Sequence, residues 1–230
     1  MNFPTLTSRS TRAITRAEVL VMVVVVIFFA VVVMTMMVSF HGAQSEVHCV
    51  RNLGWIASSF ASFANDHDGH HPFTATNSLA YTNETQAWLH FQDAKTYLHS
   101  AENLVCPEDT RRFTNAAADF NTGAVASASS LWKKTNAAVS YFVSLDANRH
   151  TSDAILAGDR HVARGWSGRG PIVTLASTNF PAWTTPHGRS NGIVVLVDHS
   201  TTEVSPSASR TPPVSYSMPT NRLLMPLPPF

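Results

Sequence analysis

The chain has 230 residues, with 16 Lys and Arg against 15 Asp and Glu, for a formal charge of +1. That balance argues against a general nucleic-acid binder, which carries a basic face or stripe. Two cysteines are too few for a disulfide-dense scaffold, and no pair has the C-x-x-C spacing of a zinc or redox site.

The first element is the most explicit. Residues 19–38 (VLVMVVVVIFFAVVVMTMMV) carry no charged side chain. About twenty helical residues cover the ~30 Å hydrocarbon core of a bilayer, so the run predicts a transmembrane helix. It is longer than the apolar region of about 7–15 residues in a cleaved secretory signal. Arg9, Arg12 and Arg16 precede it, whereas His41, Glu46 and Arg51 follow. Positive flanks stay cytoplasmic, which places the N-terminus inside and the remainder outside. Glu18 sits at the lip of the run. A carboxylate there is either paired locally, with Arg16 the nearest cation, or functional.

After Ser39-Phe40-His41-Gly42, apolar residues recur at Val47, Val50, Leu53, Ile56, Phe60 and Phe63. Steps of three and four describe one face of an amphipathic helix. Asn65-Asp66-His67-Asp68-Gly69 and Pro72 end it. A helical piece is expected over residues 84–98, and the Ala-, Ser- and Asn-rich residues 114–130 read as a loop. Residues 139–145, 154–157, 172–175 and 193–197 are short runs rich in Val, Ile, Leu and aromatics, hence strands. Turn residues separate them, which suits a small antiparallel sheet with one face on the long helix. The predicted class is α+β. From Ser205 on, Pro, Ser and Thr dominate, and an extended or disordered tail is expected.

Few residues suggest chemistry. Cys49 and Cys106 either form a disulfide, if the domain sits in an oxidising compartment, or remain a buried pair of thiols. Asp66, His67, Asp68, His70 and His71 cluster before Pro72. Placing Gly69 at the sixth position of a calcium loop puts Ala64 and Ala75 at its two ends, so that motif fails. Solvated loop histidines are the favoured reading, and no metal ligands are assigned. Gly165-Trp166-Ser167-Gly168-Arg169-Gly170 has Arg where G-x-S-x-G needs glycine, so it reads as a surface loop. His187, Ser190 and Asp198 are residue types of a triad, which only geometry could establish. Trp55, Trp88, Trp132, Trp166 and Trp183 read as core or interface residues.

Basic leader, Ala13, Ile14, Thr15, Glu18 and an apolar helix together resemble the class III signal of type IV prepilins and type II secretion pseudopilins. Ala13 stands where Gly is usual, and Arg16 where an apolar residue is usual. Further blocks, in order, resemble pseudopilin-like proteins of planctomycete and verrucomicrobial type. They are Cys49-Val50-Arg51-Asn52-Leu53, Leu104-Val105-Cys106-Pro107-Glu108-Asp109, Val139-Ser140-Tyr141-Phe142-Val143 and Ile155-Leu156-Ala157-Gly158-Asp159-Arg160, followed by His187-Gly188 to Asp198. The resemblance implies a pilin-like fold, with a transmembrane and then amphipathic helix packed on a small antiparallel sheet. It implies a leader over residues 1–13, the helix over 14–66, an extracytoplasmic head over 67–204 and the Pro-rich tail over 205–230. A prepilin peptidase would cut between Ala13 and Ile14, and Ile14 would become the N-methylated first residue. Glu18 would meet the N-terminal amine of a neighbouring subunit. Partners would be other pilin-like subunits, the peptidase and inner-membrane lipid, with no nucleic acid. No cofactor and no enzymatic activity are expected. Some major pseudopilins bind calcium through a C-terminal loop, for which Asp159 and Asp198 are the weak candidates, and no metal site is assigned.

Overall fold

The structure, a computed structural model, describes residues 15–79, 81, 85–160, 170–176, 192–204 and 220–227. It divides into two compact units, Met1–His41 and Gly42–Phe230; the second is called the head below. The first helix, α1, is Arg16–Asp66.

Within the first unit, Arg16–Met36 is long and apolar enough to cross a membrane, and none of it is buried. Val24, Phe28 and Met34 are each more than half exposed. A helix closes its own backbone hydrogen bonds, which is the condition for placing such a sequence in hydrocarbon.

Within the head, the α1 stripe of Cys49, Leu53, Ile56, Ala57, Phe60 and Phe63 is buried. The expected stripe thus starts later than its periodicity suggested: Val47 is 66% exposed, and Cys49 opens the buried face. The helix stops through backbone geometry. Asp68 and Gly69 both take positive φ (53° and 82°), and the Gly69 amide donates to the Ala64 carbonyl at 2.7 Å. Left-handed residues with such a bond satisfy carbonyls that the last turn leaves open. Gly69 also has Arg149 lying against it, so a Cβ would sit 2.5 Å from that side chain.

Among the described residues three short α-helices follow, α2 (Ala87–Asp93), α3 (Thr110–Phe113) and α4 (Leu131–Lys134), with three short 3-10 turns among them. α2 is seven residues, about half the length expected from the sequence. Between α3 and α4 the chain is a loop, as expected. Asp119 pins it by accepting from the Asn121 amide (2.8 Å) and the Ser127 hydroxyl (3.0 Å).

Six strands complete the described head: β1 (Tyr141–Ser144), β2 (Ile155–Asp159), β3 (Ile172–Ala176), β4 (Gly192–Leu196), β5 (Thr201–Val204) and β6 (Thr220–Leu224). They form one sheet in the order β3-β6-β1-β2-β4-β5, and each neighbouring pair is antiparallel. The four expected strands are all present. Two others, β5 and β6, were not anticipated; β6 lies within residues 205–230, where an extended or disordered tail was expected, and it is extended but paired in the sheet. Thr220-Asn221-Arg222-Leu223-Leu224 is free of proline and lies between Pro219 and Pro226. Its amides can therefore serve a ladder on both sides, and it pairs with β1 and β3. A proline-rich neighbourhood concealed a central strand.

Each face of the sheet contributes buried side chains. Tyr141, Val143, Leu156, Ala157, Ile193, Val195 and Leu224 join the α1 and α2 side chains in one core. Phe142, Ile155, Val173, Val194, Leu196, Leu223 and Met225 form a second cluster. A register shift between Ile155 and Ala157 lets one extra residue into β2. Such a bulge breaks the alternation of side chains, and Leu156 and Ala157 consequently both enter the helix-side core. Gly158 pairs with Phe142, whose ring fills the space where a Cβ would be, 2.6 Å from Cζ.

Candidate functional site

Two places concentrate the residues singled out by the sequence. At the start of α1, Thr15 and Glu18 bond reciprocally. The Thr15 amide and hydroxyl donate to Glu18 Oε2 (2.7 and 3.0 Å), and the Glu18 amide donates to Thr15 Oγ1 (3.3 Å). Thr at the N-cap with Glu three residues on is a capping box, and it satisfies amides that the first turn leaves open. Glu18 therefore has a local partner, and that partner is Thr15 rather than Arg16. Ala13 and Ile14 lie outside the described residues.

The second place is in the head, where the blocks that carry the resemblance meet. Cys49 and Cys106 form a disulfide, their Cα atoms 5.2 Å apart. One turn further along α1, buried Asn52 donates from Nδ2 to the Val105 carbonyl and to the Tyr141 hydroxyl, both at 3.3 Å. Burial pushes the Tyr141 phenol far above its ordinary range, so it stays neutral. The Leu104 carbonyl accepts from the Ser140 amide at 2.8 Å.

Asp109, 3% exposed, is the centre of charge. It accepts from Arg160 Nε (2.6 Å) and Nη2 (2.9 Å) and from the Ser140 hydroxyl (2.9 Å). The two-point fork is the strong form of an Arg–carboxylate pair. Arg112 lies behind it, 3.9 Å from Asp109 at the nearest ion-pair approach. Its guanidinium donates to the carbonyls of Asn136 and Val139 and to that of Pro226 at 2.5 Å. Burial, and secondarily the Arg160 charge, pull its pKa down to about 10, against the opposing pull of Asp109. At neutral pH it remains a cation, with carbonyl oxygens in place of water.

No family model, no curated protein and no solved structure matches the chain. The reading of this clasp therefore rests on its geometry. Disulfide, amide and ion pair tie α1, the 104–109 turn, β1, the end of β2 and the C-terminal segment together. Asp109 is already occupied by three donors, which gives it a structural task.

The remaining candidates are dispersed. Asp66 accepts from the Tyr97 hydroxyl at 2.5 Å, His67 stacks on Phe63 with 3.8 Å between ring centroids, and His71 is buried. Among the described residues no three His, Cys, Asp or Glu side chains are placed to hold a metal ion. Asp198 caps its own turn, and the Ser200 hydroxyl and amide hold its carboxyl below the usual range. Asp159 is 1% exposed, at the end of β2. Residues 165–169, His187 and Ser190 lie outside the described residues, as do Trp166 and Trp183. Trp88 and Trp132 meet edge to face at 5.4 Å, in or against the core. Trp55 is stacked with His99 at 5.2 Å, under the Arg51 guanidinium.

Asn52, Asp109, Ser140 and Arg160 stand in the resembling blocks, which assign them no role by themselves. The signal that could have found them was an Asp next to the C-P turn and an Arg directly after a strand. Arg112 gave no signal, because its partners are backbone carbonyls.

Proposed function

We propose that this chain is a pseudopilin-like structural subunit of a type II secretion or type IV pilus-like assembly, held in the inner membrane by α1 with its head in the periplasm. The observation that carries the reading is Glu18, at the N-terminal lip of an unburied apolar stretch whose helix, α1, also supplies the head's core stripe. A structural part needs this combination: an anchor that lipid or neighbouring helices can cover, and a rigid head. The disulfide supports an oxidising compartment for the head. Arg9, Arg12 and Arg16 support a cytoplasmic N-terminus. On this reading, the prepilin peptidase releases Ile14 as the new N-terminus. Glu18 then pairs with that amine on a neighbouring subunit, where low dielectric strengthens the attraction.

The capping box favours one rival, because it occupies Glu18 within its own chain. That rival is a membrane-tethered extracytoplasmic binding module that never polymerises. Glu18→Gln separates the two, since Gln also closes a capping box but carries no charge. The assay is crosslinking in membranes that contain prepilin peptidase, with N-terminal sequencing of the product. A subunit gives ladders and a chain starting at Ile14, and Glu18→Gln abolishes the ladders while leaving the helix intact. An uncleaved N-terminus, or ladders unaffected by Glu18→Gln, overturns the proposal.

A further inference from the structure

His71 follows the turn that ends α1 and is 3% exposed. Its Nδ1 lies 3.3 Å from the Phe60 carbonyl, so the neutral ring carries its proton there and donates it. Its Nε2 is buried, with no hydrogen-bond partner among the described residues. The ring leans on Phe73 at 5.3 Å, and Phe73 in turn meets Phe60 and His90 edge-on at 6.2 and 6.0 Å. Protonation would put a charged N–H where no acceptor waits.

The charged surroundings offer no relief. His70 on the same turn and His199 on the β4–β5 turn both oppose a positive charge on His71. Asp198, beside His199, spends an oxygen on the Ser200 amide and hydroxyl (2.8 and 2.6 Å). Asp66, at the end of α1, accepts from Tyr97, and Asp68 is exposed. Arg149, from the loop after β1, covers Gly69 and is itself a cation. His90 of α2 stands beyond Phe73.

We propose that His71 is an acid-sensitive latch: once protonated it leaves its pocket and frees the 70–79 segment, while the disulfide-clasped remainder of the head stays folded. The segment hangs on this residue. The His71 carbonyl accepts from the Thr74 and Ala75 amides, each at 2.9 Å, and the neighbouring Pro72 carbonyl accepts from the Ser78 hydroxyl at 2.6 Å. Burial pushes the imidazole from its ordinary 6.5 down to about 4. A depressed folded value means that the stabilisation is complete above pH 6.5 and is lost as pH falls from 6.5 towards 4. The latch acts in the head whether or not the chain polymerises.

Hydrogen exchange on the full chain in detergent micelles tests it, at pH 7, 5 and 4 and corrected for intrinsic exchange. Peptides covering 70–79 are expected to lose protection on the order of a hundredfold at pH 4, while those covering 141–160 keep theirs. His71→Phe should remove the pH dependence. Should that variant fold poorly, the imidazole resonance of wild-type His71 gives an independent readout, staying neutral until close to pH 4. Titration of His71 near 6.5, simultaneous loss in 70–79 and 141–160, or an unchanged acid response in a folded His71→Phe overturns the latch.

Discussion

Asp109→Asn tests the clasp most directly. The substitution keeps the shape of the side chain but removes the carboxylate that lies in ion-pair contact with both Arg112 and Arg160. Two charge-assisted bonds from Arg160 are weakened, and hydrogen bonds to charged groups are worth about 1.5–3 kcal/mol each. Removing one partner of a buried pair costs about 3–5 kcal/mol, because the other charge stays uncompensated. The Arg160 side chain is 21% exposed, so water recovers part of this, and a loss of about 3 kcal/mol is expected. That is a large share of the roughly 5–15 kcal/mol that holds a domain together. Urea unfolding of the full chain in micelles, with the disulfide intact, measures it through the midpoint at constant slope. Asp109→Leu combined with Arg160→Met should recover part of the loss, since Arg160 is no longer stranded, while Arg112 loses its nearby carboxylate and keeps only its carbonyl acceptors. A loss below about 1 kcal/mol for Asp109→Asn would refute the view that this ion pair holds the head.

Other substitutions probe the remaining supports. Gly158→Ala places a methyl 2.6 Å from Phe142 and 2.9 Å from the Ile193 carbonyl. It should destabilise by about 1–3 kcal/mol, with partial rescue by Phe142→Leu, as read by thermal melting. Reducing Cys49–Cys106, which are 57 positions apart, should cost about 4 kcal/mol on the chain-entropy account, seen as a lower urea midpoint after reduction. Deleting residues 220–230 removes the strand between β1 and β3 together with the Pro226 carbonyl that Arg112 grips. The head should then be protease-sensitive and lose its strand signal in circular dichroism, whereas a disordered tail could be removed without effect.

The sequence by itself determined what depends on neighbours along the chain. An uncharged run of bilayer length, an apolar step of three and four, and short β-branched runs between turn residues each declare themselves within about twenty residues. Tertiary structure decided everything that depends on distant partners. Asp109 meets Arg160 across 51 positions, Arg222 meets Asp146 across 76, and Arg112 meets Pro226 across 114. The placement of β6 is of the same kind: five residues in a proline-rich stretch become a central strand only because β1 and β3 leave two open ladders for them. Burial of His71 follows the same rule, since nothing in the run His70-His71-Pro72 says which ring will face Phe73 and which will face water. Local pattern records the preference of a segment for helix or strand. It does not record which segment ends up alongside, and that is where the energies of the clasp and the latch arise.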